Sequence, residues 1–179
     1  MTGTETALVD QLRALVRDVP DFPRAGILFR DITSLLRDPR GFGAAVDMLA
    51  DAHSASGVEA VVGVESRGFI LGGAVAYRLG AGFVPVRKQG RLPAAKVSVA
   101  YQLEYGAAEL EMHTDAIAEG QRVLIVDDLL ATGGTAAAAV SLVDRLGGHV
   151  VGIAFLIELE SLGGAAALDG RPYTSIIRF

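Results

Sequence analysis

Two adjacent carboxylates, Asp127 and Asp128, followed closely by Thr132, Gly133, Gly134 and Thr135, are the side chains in this sequence best placed to do chemistry. They close an apolar run, Val123-Leu124-Ile125-Val126, that reads as a buried strand, and an Ala-rich run after Thr135 reads as a helix. A phosphate needs several backbone N–H groups converging on it, and such groups are unsatisfied where a helix begins. Gly133 and Gly134 let the backbone come close, and Thr132 and Thr135 add hydroxyl donors. The two aspartates would repel a phosphate but suit hydroxyl groups or hydrated magnesium, so the expected ligand carries a sugar diol beside its phosphate. The same residues also fit a strand-turn-helix connection with an acidic cap. The intact run over 123–135 favours the binding site.

Other nucleotide loops do not fit. A Walker loop requires GxxxxGK followed by Ser or Thr, whereas Gly134 is followed by Thr135 and alanines. A dinucleotide fingerprint requires a full GxGxxG after a strand, and Gly41-Phe42-Gly43 lacks the third glycine.

A second strand-loop-helix pattern runs through Val61-Val62-Gly63-Val64-Glu65-Ser66-Arg67-Gly68-Phe69. Ser66, Arg67 and the backbone near Gly68 could grip another phosphate, a task suited to a permanently charged, forked guanidinium. Arg87-Lys88 ends a further strand and adds cationic groups, although paired basic residues at a strand end are often simply solvated. Net charge is −5, but positions 66–103 contain no Asp or Glu and six cations: Arg67, Arg78, Arg87, Lys88, Arg91 and Lys96. Interleaved with Gly and apolar residues, they resemble a pocket lining for a polyanion more than a basic tail. The net acidic balance disfavours a nucleic-acid surface.

The elements that must position these groups follow from periodicity. Leu8, Leu12, Leu15, Val16 and Val19 predict a helix over 5–18, ended by Pro20 and Pro23, and Asp38-Pro39 opens a second. Strands are expected over 58–64, 82–87, 122–127 and 149–157, with helices over 69–79 and 135–146. Pro85 marks an interruption or an edge. This alternation predicts an α/β fold, a single-domain, open, mainly parallel twisted sheet flanked by helices. Residues 20–38 and 89–115 break the pattern; the latter is a polar connection, with 96–103 and 108–112 able to pair as a hairpin.

At 179 residues and 51% hydrophobic content the chain suits one well-packed domain, with no repeat, no membrane-length apolar run and no signal-peptide-like start. The absence of cysteine is compatible with a cytoplasmic location. His53, His113 and His149 lack metal-ligand spacing and read as surface or packing residues.

Five segments narrow the identity: Asp21-Phe22-Pro23, 26–32, 65–69, Tyr101-Gln102-Leu103-Glu104-Tyr105-Gly106, and the acidic loop. In order, from about Asp21 to Glu160, they resemble the type I phosphoribosyltransferase family and, within it, the adenine-specific members. The resemblance implies that adenine and phosphoribosyl pyrophosphate give AMP and pyrophosphate, with Mg2+ as cofactor, in a homodimer. It implies a catalytic acid/base at Glu104 and a mobile lid over 89–115 that includes Tyr105. It assigns 5′-phosphate and ribose binding to Asp127, Asp128, Ala131, Thr132, Gly133, Gly134 and Thr135. Pyrophosphate falls to Glu65, Ser66, Arg67, Arg87 and Lys88, in a loop that in this family often holds a non-proline cis peptide. Adenine falls to Leu28, Phe29 and Arg30 in a hood formed from residues 1–38. Read without the resemblance, Glu104 is a cross-strand ion-pair partner, Phe29 is core, and Arg30-Asp31 is a surface pair. Arg91 in place of the usual lysine and the looser 93–96 stretch depart from the pattern and bear on the lid's contacts. A preference for hypoxanthine or guanine, or a non-catalytic sensor of phosphoribosyl pyrophosphate, stays open at this point.

Overall fold

Apolar spacing near the N-terminus produces helix α1 (Gly3–Ala14), which buries Val9 and Leu12. The helix stops short of the expected position 18, because Arg17–Pro20 is taken up as strand β1, antiparallel to β2 (Leu28–Asp31) with Val19 opposite Phe29. A residue before proline disfavours the helical region, and the strand partner supplies the alternative hydrogen bonds. The turn between them has Asp21 at φ +58°, its carboxylate accepting the Gly26 N–H at 2.7 Å, and a cis Phe22–Pro23 peptide. Thus the stretch outside the alternation contains a hairpin and a short helix α2 (Thr33–Arg37), followed by α3 (Pro39–Asp51).

The computed structural model describes residues 3–103 and 106–179, so Glu104 and Tyr105 lie outside the described residues. The chain forms two compact units, Met1–Met48 and Leu49–Phe179, with the boundary inside α3.

The second unit is built on a seven-stranded sheet. In chain order it contains β3 (Ala60–Val64), α4 (Arg67–Leu79), β4 (Gly82–Lys88), β5 (Lys96–Leu103) and β6 (Gly106–His113). It continues through β7 (Arg122–Leu130), α5 (Gly134–Arg145), β8 (His149–Glu158) and β9 (Tyr173–Arg178). The strand order is β5-β6-β4-β3-β7-β8-β9, parallel from β4 through β9 and antiparallel at β6 and β5. Every residue of β3 is buried, as a central parallel strand requires. Val62, Val84, Ile125, Ile153 and Phe155 belong to one continuous apolar core.

The strands match the sequence expectation in part and depart from it at β7 and β9. Strand β7 runs to Leu130 rather than ending at Asp127, because β8 continues alongside it, with Leu129 opposite Ile157 and Leu130 opposite Glu158. The acidic pair therefore lies within a paired strand. The 89–115 connection is chiefly the β5–β6 hairpin, the pairing that the alternation of 96–103 and 108–112 allows, in register from Lys96 opposite His113, and it extends the sheet. Strand β9 was not expected; its Thr174-Ser175 pair interrupts the apolar pattern of an edge strand that has a partner on one side only. Pro85 behaves as anticipated. It faces Gly63 on β3, and β6 joins β4 only from Arg87 onward, so no ladder bond is needed on its other side. His53 is a packing residue, buried against β8 where a Cβ on Gly152 would approach its ring to 2.6 Å.

Candidate active site

Strands β3 and β7 are parallel neighbours, so the segments leaving their carboxyl ends emerge at the same edge of the sheet. The first turns from Val64 through Glu65 and Ser66 into α4, and its Glu65–Ser66 peptide is cis, as the resemblance implies for this loop. The second turns through Ala131, Thr132 and Gly133 into α5. Neither helix has a side-chain cap hydrogen bond or an acidic residue in its first turn. Both N-termini therefore present uncapped N–H groups and the positive end of a helix dipole. Gly133 takes φ +83°, a left-handed conformation that favours glycine.

Between the two loops lies a cavity of about 470 Å³. From the first segment it is lined by Glu65, Ser66 and Arg67, and from β4 by Lys88. Asp127, Asp128, Ala131 and Thr135 form the facing side, and Tyr101, Ala108 and Leu110 of the β5–β6 hairpin contribute an apolar wall. Thr132, Gly133 and Gly134 line a smaller recess of about 50 Å³, which shares Ala131 and Thr135 with the cavity. Most of the sugar-phosphate and pyrophosphate residues expected from sequence thus surround one space. Leu28, Phe29 and Arg30 sit on β2 of the first unit, where Phe29 meets Phe22 edge-on at 5.1 Å and Arg30 pairs with Asp18.

Charge is closely arranged around the cavity. Arg67 Nε lies 2.9 Å from Asp128 Oδ2, so the cationic first loop is tied to the acidic strand. Asp127 Oδ1 accepts the Asp128 N–H at 2.9 Å. Burial pushes the Asp127 carboxyl well above the usual carboxylate range, and the neighbouring Asp128 charge pushes it further. Burial also raises Asp128, with the Arg67 guanidinium opposing the rise. Glu65 has the opposite balance. Desolvation would raise it, but the Lys88 N–H at 3.1 Å and Arg87 Nε at 3.2 Å hold it below its ordinary value. Glu65 therefore fixes the Arg87 guanidinium and the backbone at Lys88. Arg87 does not itself line the cavity; its Nη1 also donates to the Arg91 carbonyl at 3.2 Å.

Two supporting contacts escaped sequence reasoning, one of them a packing role for Gly68 beyond the phosphate-facing backbone expected there. A Cβ on Gly68 would come within 2.7 Å of Asp127 Oδ1 and 3.1 Å of the Val126 carbonyl, so this glycine lets α4 pack directly on the acidic strand. Buried Glu111 on β6 accepts the Gly90 N–H at 3.0 Å and holds the turn that follows Lys88. Gly68 had a signal, its position just inside a helix that faces a strand. Glu111 looked like any alternating strand residue.

The family model "Phosphoribosyl transferase domain" matches residues 31–170. An adenine phosphoribosyltransferase from Paracoccus denitrificans is 60% identical over 159 residues, covering 89% of this chain and 85% of that protein. A solved adenine phosphoribosyltransferase from Rhodothermus marinus matches with a TM-score of 0.94 at 49% identity, over 97% of this chain and 99% of that one. The Saccharomyces cerevisiae enzyme, solved with D-2,5-dideoxy-2,5-imino-altritol 1,6-bisphosphate and adenine, matches at a TM-score of 0.90 and 38% identity, over 96% of this chain and 99% of that one. A cavity that joins a diacid strand to two uncapped helix N-termini, at this level of identity, places the chain among the adenine phosphoribosyltransferases.

Proposed function

We propose that this chain transfers the 5-phosphoribosyl group from phosphoribosyl pyrophosphate to adenine, giving AMP and pyrophosphate. The observation that carries the residue-level reading is the single cavity in which Ser66, Arg67 and Lys88 face Asp127, Asp128, Ala131 and Thr135. In this reading the 131–135 loop binds the 5′-phosphate through its backbone N–H groups and threonine hydroxyls. Asp127 and Asp128 accept the ribose hydroxyls. Arg67 and Lys88, with Arg87 held behind them by Glu65, balance the charge of the departing pyrophosphate. Leu28, Phe29 and Arg30 hold the base, Glu104 exchanges the proton that the purine must lose, and Tyr105 belongs to the lid.

Bond breaking runs ahead of bond making, so positive charge develops on the ribose, with inversion at the anomeric carbon. A buried carboxyl pair suits that demand: its ionised form is held back by desolvation in the free protein and is favoured when a cation forms beside it. Asp127 and Asp128 offer only oxygen donors, the type that a hard cation prefers. Among the described residues no cluster of three or more His, Cys, Asp or Glu forms a metal site, so Mg2+ would be shared between this pair, through water, and the substrate. When bound, the ion would neutralise charge on the pyrophosphate.

The remaining expectations are likewise proposals: a homodimer, and a cytoplasmic location for a chain in which no described helix is long and apolar enough to cross a membrane. Ile70 and Tyr77, exposed seven residues apart on α4, offer an apolar strip for the partner copy. Light scattering of the parent against Tyr77→Lys tests it, with a monomeric parent refuting the homodimer.

A spectrophotometric adenine-to-AMP assay, with and without magnesium and with hypoxanthine and guanine in parallel, tests the main reading. Turnover of adenine alone is expected. Glu104→Ala should lose far more turnover than substrate affinity, about 100-fold in kcat. Near-normal kcat in that variant removes Glu104 from the mechanism.

A further inference from the structure

The phosphate loop has a second face. A loop can offer its N–H groups to an anion only if something fixes its backbone from behind, and residues 160–168 do this here. Gly164 is buried, and a Cβ on it would overlap the Ala131 carbonyl oxygen and approach Leu130 Cδ1 to 2.9 Å. Reciprocally, a Cβ on Gly133 would overlap the Gly164 carbonyl oxygen and reach 2.7 Å from Ala167 Cβ. Two glycines, one at each side of the contact, thus bring two backbones together with no side chain between them. The Ala131 carbonyl, the kind of atom that would repel a phosphate, faces Gly164.

The backing segment is itself anchored. Leu159 N–H donates to the Leu130 carbonyl at 2.9 Å, which extends the β7–β8 ladder beyond its last strand pair. Glu160 N–H donates to the Phe179 carbonyl at 2.9 Å, and Phe179 N–H donates to Glu158 at 2.9 Å, so β9 supports it from the other side. Leu168 is buried in the core, and left-handed turns at Gly163 (φ +64°) and Asp169 (φ +51°) bracket the short helix Gly164–Leu168. The loop therefore rests on a surface fixed at both ends.

We propose that Gly164, with Ala167, is a positioning residue for the 5′-phosphate: it sets the backbone of the 131–133 turn without touching the substrate. This rests on the assignment of the 5′-phosphate to the 131–135 loop. A clash at Gly164 displaces that turn and leaves the pyrophosphate end, formed from Ser66, Arg67 and Lys88, in place.

The test compares two ligands that divide the site. Ribose 5-phosphate and inorganic pyrophosphate are titrated calorimetrically into the parent, Gly164→Ala, Ala167→Val and Thr135→Ala, alongside steady-state kinetics and thermal melts. Gly164→Ala should weaken ribose 5-phosphate binding and raise KM for phosphoribosyl pyrophosphate about tenfold, with pyrophosphate affinity and adenine KM within about twofold of the parent. Ala167 is exposed, so Ala167→Val should fold even if the first variant does not, and should give about a threefold loss in the same direction. Equal weakening of both ligands, or a lowered Tm with unchanged ribose 5-phosphate affinity, overturns the proposal. If Thr135→Ala weakens ribose 5-phosphate while neither backing variant does, the loop assignment stands and the positioning role alone fails. If Thr135→Ala has no effect, the loop assignment fails and the proposal with it.

Discussion

The β3–α4 and β7–α5 connections share one architecture and differ in the charged side chains beside them. Each leads a buried parallel strand into an uncapped helix N-terminus at the same sheet edge. The first adds a guanidinium, Arg67, and the second precedes its turn with two buried carboxyls. Backbone N–H groups alone suit a phosphate that stays bound throughout a reaction. A group that departs with growing negative charge needs side-chain cations beside it, and a sugar that turns cationic needs anions. In the proposed reading, the difference between the loops divides one substrate into a fixed end, a reacting centre and a leaving group.

The Arg67–Asp128 pair is where the two halves are joined, and cutting it is the most damaging change. Arg67→Ala should lower kcat/KM about 10²–10³-fold, since it removes a cation aimed at the leaving group. It should also lower stability by about 1–3 kcal/mol, because Asp128 is left desolvated without its partner. Kinetics with urea unfolding of the same variant measures both. If turnover falls and stability does not, the arginine serves the substrate and not the joint between the loops.

Asp127 separates function from stability. Burial and the Asp128 charge hold its folded pKa above the unfolded value, so the folded chain binds that proton more tightly. The stabilisation is therefore fully present below the unfolded carboxylate pKa of about 3.9 and is lost as pH rises through the folded value. Asp127→Asn cannot ionise, and its amide oxygen can still accept the Asp128 N–H. At pH 7 it should melt above the parent, with the gap closing as pH falls toward the unfolded carboxylate range. Turnover should fall about 10–100-fold, since a neutral amide stabilises a sugar cation poorly. A gap that persists at pH 4 would mean that ionisation is not its source.

The same comparison explains what the sequence made legible. Residues 123–135 could be read because each needed property, burial, anion, close approach and helix start, falls on a different residue type in order. The alternating strands and helices were equally plain, since parallel strands buried on both faces are continuous apolar runs. The continuation of β7 to Leu130 was not, because only the neighbouring β8 extends it. The role of Glu65 was also hidden. A carboxylate in a loop proposed to bind pyrophosphate looks out of place until Arg87 and the Lys88 N–H are seen converging on it from β4, 22 and 23 residues away. Likewise, the packing roles of Gly68 and Gly164 are hidden until the strand or turn facing each is known.

Gly68 gives a smaller, more local test of how the loops are coupled. Its absent side chain leaves room for Asp127 Oδ1, and Gly68→Ala forces either the aspartate or the first turn of α4 to move. A stability loss of about 1–3 kcal/mol is expected, with kcat down about tenfold. In combination with Asp127→Asn the losses in kcat should not add, because both changes act on one contact. Additive free energies in that double-mutant cycle would show that the glycine and the aspartate act separately.

Glu65→Gln is the mildest change and the sharpest probe of the pyrophosphate half. The carboxylate gathers Arg87 Nε and the Lys88 N–H on one oxygen, and an amide oxygen can keep both bonds without the charge. Most of the cationic loop should stay in place, so a threefold to fivefold weakening of pyrophosphate, roughly 0.7–1 kcal/mol, is expected. Ribose 5-phosphate affinity should not move. Glu65 is held below its ordinary pKa, so its ion pair is intact above the unfolded carboxylate range and is lost as pH falls through the folded value. The parent's pyrophosphate affinity should therefore decline toward the variant's as pH drops below about 4. Equal affinities at neutral pH would mean that Arg87 and Lys88 hold their places without Glu65, and that the two loops differ in charge but not in how that charge is supported.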